Sequence, residues 1–390
     1  MFFKEAQEIQ AYMQEIRREL HRQPEVGLDL PLTKSLVKGR LEDLGLEVKE
    51  LGSSGLTALI QGNKEGNGSG KTLLLRADMD ALPMQEETGL EFASTNENAH
   101  ACGHDLHTAM LLGAARILVE NKDQFSGTIK LMFQPAEEVF KGAKMMIAEG
   151  VLENPKVDAA FALHTELVEG PGSLMYMKGH MTTSCDNFKI IIRGKGAHGA
   201  YPHTSIDPIN AGVNIYQNFS ELISRENPPQ AVTTLTFGQF TAGSSSNVIP
   251  DSCIMQGTMR TYEPEVRAKL KRRMEEIIAG VAETTGTKIE LDFFSGVPSL
   301  YSDPDLTQKF VEILEANLPE LNLIGDHQIM ASEDMADVAE RVPTCYMMLN
   351  CQVKGLAGLS HHNPKVQFAE EAMPFGCAAF ATLAVKYLNG

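Results

Sequence analysis

Residues 127–138 read GTIKLMFQPAEE, an apolar run typical of a buried strand that leads directly into two adjacent acids. A second run of this kind, at 72–77, leads into the polar sequence RADMD, and a third, at 157–163, leads into a histidine. Helical patterns occupy 107–120 and 141–150 between these runs. Such strand–helix–strand alternation predicts a mainly parallel sheet, and the ligands of such sheets bind beyond the carboxyl ends of the strands.

The middle of the chain has a different order. Between residues 187 and 294 the pattern is strand, helix, strand, strand, helix and strand, which is typical of a ferredoxin-like unit. Helices and strands then alternate again, and a buried strand at 344–349 leads to another histidine-rich stretch. The sequence therefore predicts an α/β fold with a mainly parallel-sheet hydrolase domain and an inserted ferredoxin-like α+β domain. The predicted bounds are 1–182 and 297–390 for the first domain and 183–296 for the second.

Charge and composition exclude several classes of protein. The chain has 34 Lys and Arg against 51 Asp and Glu, a formal net charge of −17, which argues against nucleic acid or an anionic membrane as a partner. No apolar run approaches the roughly 18 residues that a membrane span requires. The N-terminal sequence MFFKEAQEIQ lacks the features of a secretory signal, which favours the cytoplasm. In that reducing compartment the six scattered cysteines are expected to be free thiols.

The densest group of reactive side chains is HACGHDLH at residues 100–107. In a reducing compartment, this mixture of Cys and His favours a metal or catalytic site over a disulfide. Taken singly, His100 and His107 are better interpreted as solvated histidines near the start of a helix that Asp105 caps.

Two adjacent carboxylates, Glu137 and Glu138, follow the buried strand at 127–134. Like charges side by side repel, unless a divalent metal binds one carboxylate and leaves its neighbour available as a base. Histidines also follow two other buried strands. Four separated segments thus supply a mixed sulfur, nitrogen and oxygen set that suits Zn²⁺, Mn²⁺, Co²⁺ or Ni²⁺, namely Cys102, His104, Glu138, His164 and His362.

Eight motifs occur along the chain in one order: RADMDALP (76–83), HACGHDLH (100–107), QPAEE (134–138), LHTE (163–166), GKGAHGAYPHTSIDP (194–208), NVIPD (247–251), GTMR (257–260) and SEDM (332–335). Together they resemble the M20 metallopeptidase superfamily. The resemblance is to its amidohydrolase branch, which includes hippurate hydrolases, N-acyl-amino-acid deacylases and indole-acetyl-amino-acid hydrolases. It covers nearly the whole chain.

This resemblance implies a two-metal amide hydrolase with two divalent ions in each subunit. Glu137 resembles the general base of the family. In the histidine-rich stretch before Pro364, His362 keeps the His-x-Pro spacing of the relatives and is preferred to His361 as a ligand. The resemblance implies that the metal ligands are Cys102, His104, Glu138, His164 and His362.

Further roles are implied outside the ligand set. Asp78 and Asp80 resemble the residues that orient metal ligands. The inserted domain resembles a lid that mediates homodimerisation. Within it, His198 resembles the histidine that stabilises the oxyanion of the reaction, often from across the dimer interface. Asn247 and Arg260 resemble the residues that grip the carboxylate of the substrate.

The expected reaction is hydrolysis of the amide bond of a small N-acyl amino acid, with an acetyl, benzoyl or aryl-acyl group, to a carboxylic acid and a free amino acid. Bound divalent ions lower the pKa of water and polarise the amide carbonyl, while Glu137 accepts the proton and returns it to the leaving amine. Three alternatives remain open. They are a dipeptidase or aminopeptidase of the same superfamily, a thiol amidase with Cys102 as nucleophile and His104 as base, and a metal- or peptide-binding module without catalysis.

Overall fold

The computed structural model describes residues 1–64 and 70–390. The Gly- and Asn-rich stretch 62–71 is predicted as an exposed turn, and its residues 65–69 lie outside the described part of the chain. The chain forms two compact units. The first unit comprises Met1–Met181, Tyr301–Gln328 and Asp334–Gly390, and the second comprises Thr182–Leu300 and Ile329–Glu333.

The elements follow one another in chain order. Those before the second unit are α1 (Phe3–Glu8), α2 (Gln10–Arg22), α3 (Pro31–Asp43), β1 (Val48–Leu51), β2 (Gly55–Gln61), β3 (Thr72–Asp78), α4 (His104–Glu120), β4 (Thr128–Gln134), α5 (Gly142–Ala148), β5 (Ala159–Glu166), β6 (Ser173–Tyr176) and β7 (Gly179–His180). The second unit contains β8 (Cys185–Arg193), β9 (Ala197–His198), α6 (Pro208–Glu221), β10 (Thr233–Ala242), β11 (Val248–Ile249), β12 (Ser252–Thr261), α7 (Pro264–Thr285) and β13 (Lys288–Val297). The first unit then resumes with β14 (Tyr301–Ser302), α8 (Pro304–Asn317), β15 (Asn322–Ile324), α9 (Ala336–Ala339), β16 (Thr344–Asn350) and α10 (Met373–Asn389). Short 3₁₀ helices lie at Lys122–Gln124, Pro202–Thr204 and Glu370–Ala372, and a π-helical turn lies at Leu222–Glu226.

An eight-stranded sheet in the order β1-β2-β4-β3-β5-β16-β6-β15 forms the centre of the first unit. Parallel pairing joins β4 to β3, β3 to β5, β5 to β16, and β6 to β15, so four of the seven neighbouring pairs are parallel. Every residue of β3, β4 and β16 is buried, which explains why these strands are mostly apolar and do not alternate with polar residues in the sequence. The prediction of an α/β fold with a large, mainly parallel sheet is confirmed.

Helices of the first unit bury apolar stripes on a single core. The periodicity of residues 4–22 predicts one helix, but the structure has two, because the backbone leaves the helical conformation at Ile9, with φ −98° and ψ 12°. On α2 the buried side chains are spaced three or four residues apart, at Met13, Ile16 and Leu20. No helix among residues 1–64 and 70–390 combines the length and hydropathy of a membrane span.

The second unit has a four-stranded antiparallel sheet in the order β10-β12-β8-β13. Together with α6 and α7, its strands follow the chain order β-α-β-β-α-β. Phe188, Ile190 and Ile192 of the central strand β8 are buried in the core that this sheet shares with the two helices.

The second unit extends beyond the predicted segment 183–296 because hydrogen bonds attach further residues to it. The Ser299 hydroxyl donates to the Thr182 carbonyl at 2.7 Å. The Thr183 amide donates to the Ala331 carbonyl at 2.9 Å, which brings residues 329–333 into the unit.

Candidate metal centre

Four strand ends of the first unit position the candidate site. Because β3, β4, β5 and β16 are parallel to one another, their carboxyl ends lie at the same edge of the sheet. The predicted metal ligands and the predicted base lie after these strand ends, at them, or at or just before the start of α4. His104 is the first residue of α4, and Gly103 before it has φ +84°. A Cβ atom on Gly103 would lie 2.7 Å from Thr165 Oγ1, so only glycine fits between the two predicted ligands that flank it.

Ligand atoms from these segments converge. Three overlapping groups of side chains each have their ligand atoms within 4.8 Å of one another: Cys102 with His104 and His164, Cys102 with Glu138 and His362, and His104 with Glu137 and Glu138. All five side chains predicted to bind metal, together with the predicted base, therefore form one cluster in the first unit.

Hydrogen bonds orient the two histidines of this cluster. His104 Nδ1 donates to the Asp80 carbonyl at 2.8 Å, and His164 Nδ1 donates to the Thr165 carbonyl at 2.7 Å. A carbonyl can only accept, so in both rings the proton is on Nδ1 and Nε2 is the atom that can bind a cation. His164 Nε2 lies 3.5 Å from Cys102 Sγ.

The cluster fits a divalent metal ion. His104 Nε2 and Glu138 Oε1 are buried and 4.0 Å apart, and neither has a hydrogen-bond partner among the described residues. His362 Nε2 lies 3.4 Å from the same carboxylate oxygen. Buried polar atoms normally have partners, and sulfur, nitrogen and oxygen atoms in such a group are ligands of Zn²⁺ and similar ions. A cation bound by these atoms would satisfy them.

Excess negative charge surrounds these atoms. Burial alone would lower the pKa of His104, but the carboxylates of Asp78 and Asp80 outweigh it and raise that pKa to about 10. Burial, followed by the nearby Glu138 carboxylate, raises the pKa of the Cys102 thiol. Without a metal these groups therefore retain protons, and a divalent cation would supply the positive charge in their place.

Asp78 and Asp80 make hydrogen bonds next to the cluster. Both are buried. The Asp80 carboxylate accepts the backbone amides of Glu137 at 2.9 Å and Glu138 at 3.2 Å. Asp78 Oδ2 accepts from Arg76 Nη1 at 2.6 Å. Burial raises the pKa of Asp78, but Arg76, His104 and His107 together outweigh it, so that this pKa lies well below its usual value.

The solvated interpretation of His107 is wrong. Its side chain is buried, its Nε2 accepts the Thr165 amide at 2.8 Å, and its Nδ1 donates to Asp78 Oδ1 at 2.6 Å. His107 thus joins the end of β3 to the end of β5. One signal in the sequence could have indicated it: His107 lies three residues after His104, on the same side of a helix.

The interpretations of His100 and Asp105 also need correction. His100 is 2% exposed, and burial lowers its pKa to about 3. Asp105 makes no capping hydrogen bond at the start of α4, and instead it accepts from Arg17 Nε at 2.8 Å and from His21 Nδ1 at 2.7 Å. Arg17 and His21 are on α2, so this buried ion pair fastens the first turn of α4 to α2.

The two adjacent histidines after β16 have different surroundings. His362 has a left-handed backbone, with φ 62°, and its amide donates to the Ala101 carbonyl at 2.9 Å, which holds it beside Cys102. His361 Nε2 instead lies 3.2 Å from the Thr165 hydroxyl. Of the two, it is His362 that shares a group of ligand atoms with Cys102 and Glu138.

Three predicted residues lie in the second unit. The exposed His198 is on β9, and its Nδ1 accepts the Ala200 amide at 3.1 Å. The Asn247 carbonyl accepts the Gly199 amide at 2.8 Å, so these two loops are adjacent. Arg260 is on β12, and its Nη1 donates to the Ser332 hydroxyl at 2.6 Å.

Comparison with known proteins decides the family. The profile of peptidase family M20/M25/M40 matches residues 74–386, which include every predicted site residue. The chain belongs to this family. The predicted superfamily is confirmed, as is the prediction of an enzyme that is a metal-dependent amidohydrolase.

Proteins similar to this M20 chain come from Saccharolobus solfataricus, Arabidopsis thaliana and Bacillus subtilis. It is 37% identical over 391 residues to thermostable carboxypeptidase 1 of Saccharolobus solfataricus, with 99% of this chain and 98% of that protein covered. It is 36% identical over 384 residues to IAA-amino acid hydrolase ILR1-like 4 of Arabidopsis thaliana, with 97% and 86% covered. The crystal structure of the YXEP protein of Bacillus subtilis, described as a dinuclear metal-binding peptidase from the M20 family, matches with a TM-score of 0.83 at 30% identity, covering 98% of this chain and 99% of that one.

Proposed function

We propose that this M20 chain hydrolyses the amide bond of N-acyl amino acids, releasing a carboxylic acid and a free amino acid. The observation that carries the proposal is the pair Glu137 and Glu138, whose backbone amides share the Asp80 carboxylate. Only one carboxylate of the pair is needed as a ligand of the cluster, and the other is then available for proton transfer. The name of the relative from Arabidopsis thaliana, an amino acid hydrolase, agrees with an N-acyl amino acid as substrate.

The cluster would hold two divalent ions, chosen from Zn²⁺, Mn²⁺, Co²⁺ and Ni²⁺. Its ligands would be Cys102, His104, Glu138, His164 and His362. When bound, such ions lower the pKa of a water molecule and polarise the amide carbonyl. Glu137 accepts the proton of the attacking water and transfers it to the leaving amine. His198 donates to the developing oxyanion, a contribution typically worth about 3–4 kcal/mol.

A peptidase is the second candidate, because one relative is a carboxypeptidase and one solved structure is described as a peptidase. Both candidate substrates carry a free carboxylate next to the scissile amide, and they differ in the acyl group. Parallel assays of N-acetyl, N-benzoyl and indole-acetyl amino acids and of dipeptides separate the two functions.

Replacement of Arg260 by Ala is expected to lower kcat/KM for an N-acyl amino acid by roughly ten- to hundredfold. The physical reason is the loss of a charged hydrogen bond to the substrate carboxylate, worth about 1.5–3 kcal/mol. Arg260→Lys is expected to restore little, because a point charge cannot reproduce the planar fork of arginine. The measurement compares each N-acyl amino acid with its carboxamide, and the alanine variant is expected to lose most of the preference for the acid.

Arg272→Ala is the matched control for this prediction, since Arg272 is an exposed arginine of α7 whose contact is Glu276, four residues later. It is expected to leave the acid-to-carboxamide ratio unchanged. An unchanged ratio in Arg260→Ala as well would mean that the substrate carboxylate binds elsewhere.

We further propose that the inserted segment 183–296 is a lid and that it mediates homodimerisation. Ile209, Val213 and Tyr216 on α6 are 39%, 43% and 49% exposed, and their spacing places them on one side of the helix. Phe240, on β10, is 41% exposed. In the described sheet β10 pairs with β12 alone, so one edge of this strand is available for pairing with a second copy. A large exposed apolar face beside a sheet edge supports a protein interface.

Mixing Glu137→Gln protein with His198→Ala protein is expected to restore about a quarter of the wild-type activity, if His198 acts on the partner's site. After random subunit exchange, about half of the dimers are hybrids, and each hybrid has one site with both residues intact. Activity is measured before and after exchange, with each variant alone as control. No recovery despite verified exchange would mean that His198 acts within its own subunit or has no catalytic role.

A further inference from the structure

The loop at residues 135–141, between β4 and α5, carries both acids of the proposed site. Its backbone is unusual, because Ala136 has φ 56° and Phe140 has φ 54°. Non-glycine residues disfavour this left-handed conformation, and they adopt it where surrounding contacts determine the backbone. The contacts that hold this loop therefore decide where its two carboxylates point.

One set of contacts holds the middle of the loop. The Asp80 carboxylate accepts the amides of Glu137 and Glu138, as described above. Asp80 thereby fixes the two residues that carry the carboxylates, in the middle of the loop and not at its ends.

Asp334 contacts both ends. Its Oδ1 accepts from Gln134 Nε2 at 2.6 Å, and Gln134 is the last residue of β4. Its Oδ2 accepts the Ala143 amide at 3.0 Å, and Ala143 is the second residue of α5. One carboxylate group thus contacts both the residue before the loop and the first turn of the helix after it, in addition to the backbone bonds that the Lys141 and Gly142 amides donate to the Ala136 carbonyl.

Asp334 is itself held rigidly. It is 0% exposed, and its Oδ1 also accepts from Arg76 Nη2 at 3.1 Å. Arg76 is 0% exposed, and it donates to Gln134 Oε1 at 3.0 Å and to Asp78 at 2.6 Å. The end of β3, the end of β4 and the start of α5 are therefore joined in one buried hydrogen-bonded group centred on Asp334 and Arg76.

We propose that Asp334 is a positioning residue for the loop that carries the general base and one metal ligand. This inference rests on the proposed function of Glu137 and Glu138, and it gives the SEDM motif, which contains Asp334, a role in the reaction. An isosteric Asn at 334 keeps an oxygen acceptor for one end of the loop, but its amide nitrogen cannot accept at the other end. The two ends are then no longer held by one group.

The test compares Asp334→Asn with Asp186→Asn. Asp186 is also a buried carboxylate bonded to an arginine, because it accepts from Arg267 Nε at 2.7 Å, but it lies in the second unit. Each variant is assayed for kcat and KM at saturating metal ion, for metal affinity by competition with a chromogenic chelator, and for Tm. Both are expected to lose stability.

Only Asp334→Asn is expected to lower kcat, by about ten- to hundredfold, with KM within about threefold of wild type. It is also expected to weaken metal binding, because Glu138 is on the same loop. Gln134→Met keeps the volume and removes the contact of Asp334 with one end of the loop, together with the bond from Arg76 to Gln134, and it is expected to change kcat and metal affinity in the same direction by a smaller factor. It decides the question if Asp334→Asn does not fold.

Values of kcat and metal affinity in the Asp334 and Gln134 variants equal to those of Asp186→Asn would overturn the proposal. Glu137→Gln, assayed in parallel, separates this failure from failure of the proposed function. If Glu137→Gln retains turnover, the base is misassigned. If it is inactive while Asp334→Asn retains turnover, only the positioning role is wrong.

Discussion

Glu137→Gln is expected to lower kcat by about a hundred- to ten-thousandfold and to leave the metal content unchanged. Gln keeps the shape of the side chain but cannot accept and return the proton, which is the contribution of a general base. Glu138→Ala is expected to lower both kcat and the metal content, because it removes a carboxylate whose buried oxygen lies 4.0 Å from His104 Nε2. Steady-state kinetics and elemental analysis of both purified variants provide the measurement.

Glu149→Gln is the control for this pair, since Glu149 is an exposed acid just after α5 and its neutralisation changes the net charge equally. It is expected to match wild type in both measurements. Equal metal loss in the Glu137 and Glu138 variants would contradict the division into a base and a ligand.

Removal of divalent ions is expected to abolish turnover and to lower Tm. Without these ions, the carboxylates, histidines and thiol of the cluster lie close together with no divalent cation to neutralise their negative charge. A ligand that binds only the folded state at a thousandfold above its Kd stabilises that state by about 4 kcal/mol. Activity and Tm are measured after treatment with a chelator, after removal of the chelator, and after readdition of Zn²⁺, Mn²⁺, Co²⁺ or Ni²⁺ singly.

This experiment also tests the thiol amidase. Cys102 Sγ lies 3.5 Å from His164 Nε2, so a cysteine–histidine pair is present, although its histidine is His164 and the predicted base was His104. Turnover that persists in metal-free protein and is lost on alkylation would favour that mechanism. Activity that follows metal content would exclude it.

The location of the site could be predicted because its strands are buried on both faces. Such strands are continuous apolar runs, so the first polar residue after each run marks the edge of the sheet where ligands bind. Glu137 and Glu138 after β4 are predicted as site residues in this way. The adjacency of four strand ends in a parallel sheet then brings together residues that lie far apart in the chain.

Partners of buried polar groups could not be predicted by the same reasoning. His107 is buried because it meets Asp78, 29 residues earlier, and Thr165, 58 residues later. Asp334 contacts Gln134 across 200 residues. The spacing from His104 indicates which side of the helix His107 is on, but no local pattern around His107 or Asp334 specifies the distant partner. The apolar spacing continues across Ile9, so the sequence pattern does not indicate the break in the helix there.

The chain passes between the two units four times, and this limits how chimeras of related proteins can be built. The chain leaves the first unit at Met181, returns at Tyr301, leaves again after Gln328 and returns at Asp334. Recombination that exchanges only 182–300 would leave 329–333 from the other parent, in contact with residues of a different sequence. The Thr183 amide and the Tyr262 hydroxyl both donate to carbonyls of that short segment. A library that exchanges the second unit therefore needs two matched inserts, and single-crossover recombinants within 301–328 inherit a mixed second unit.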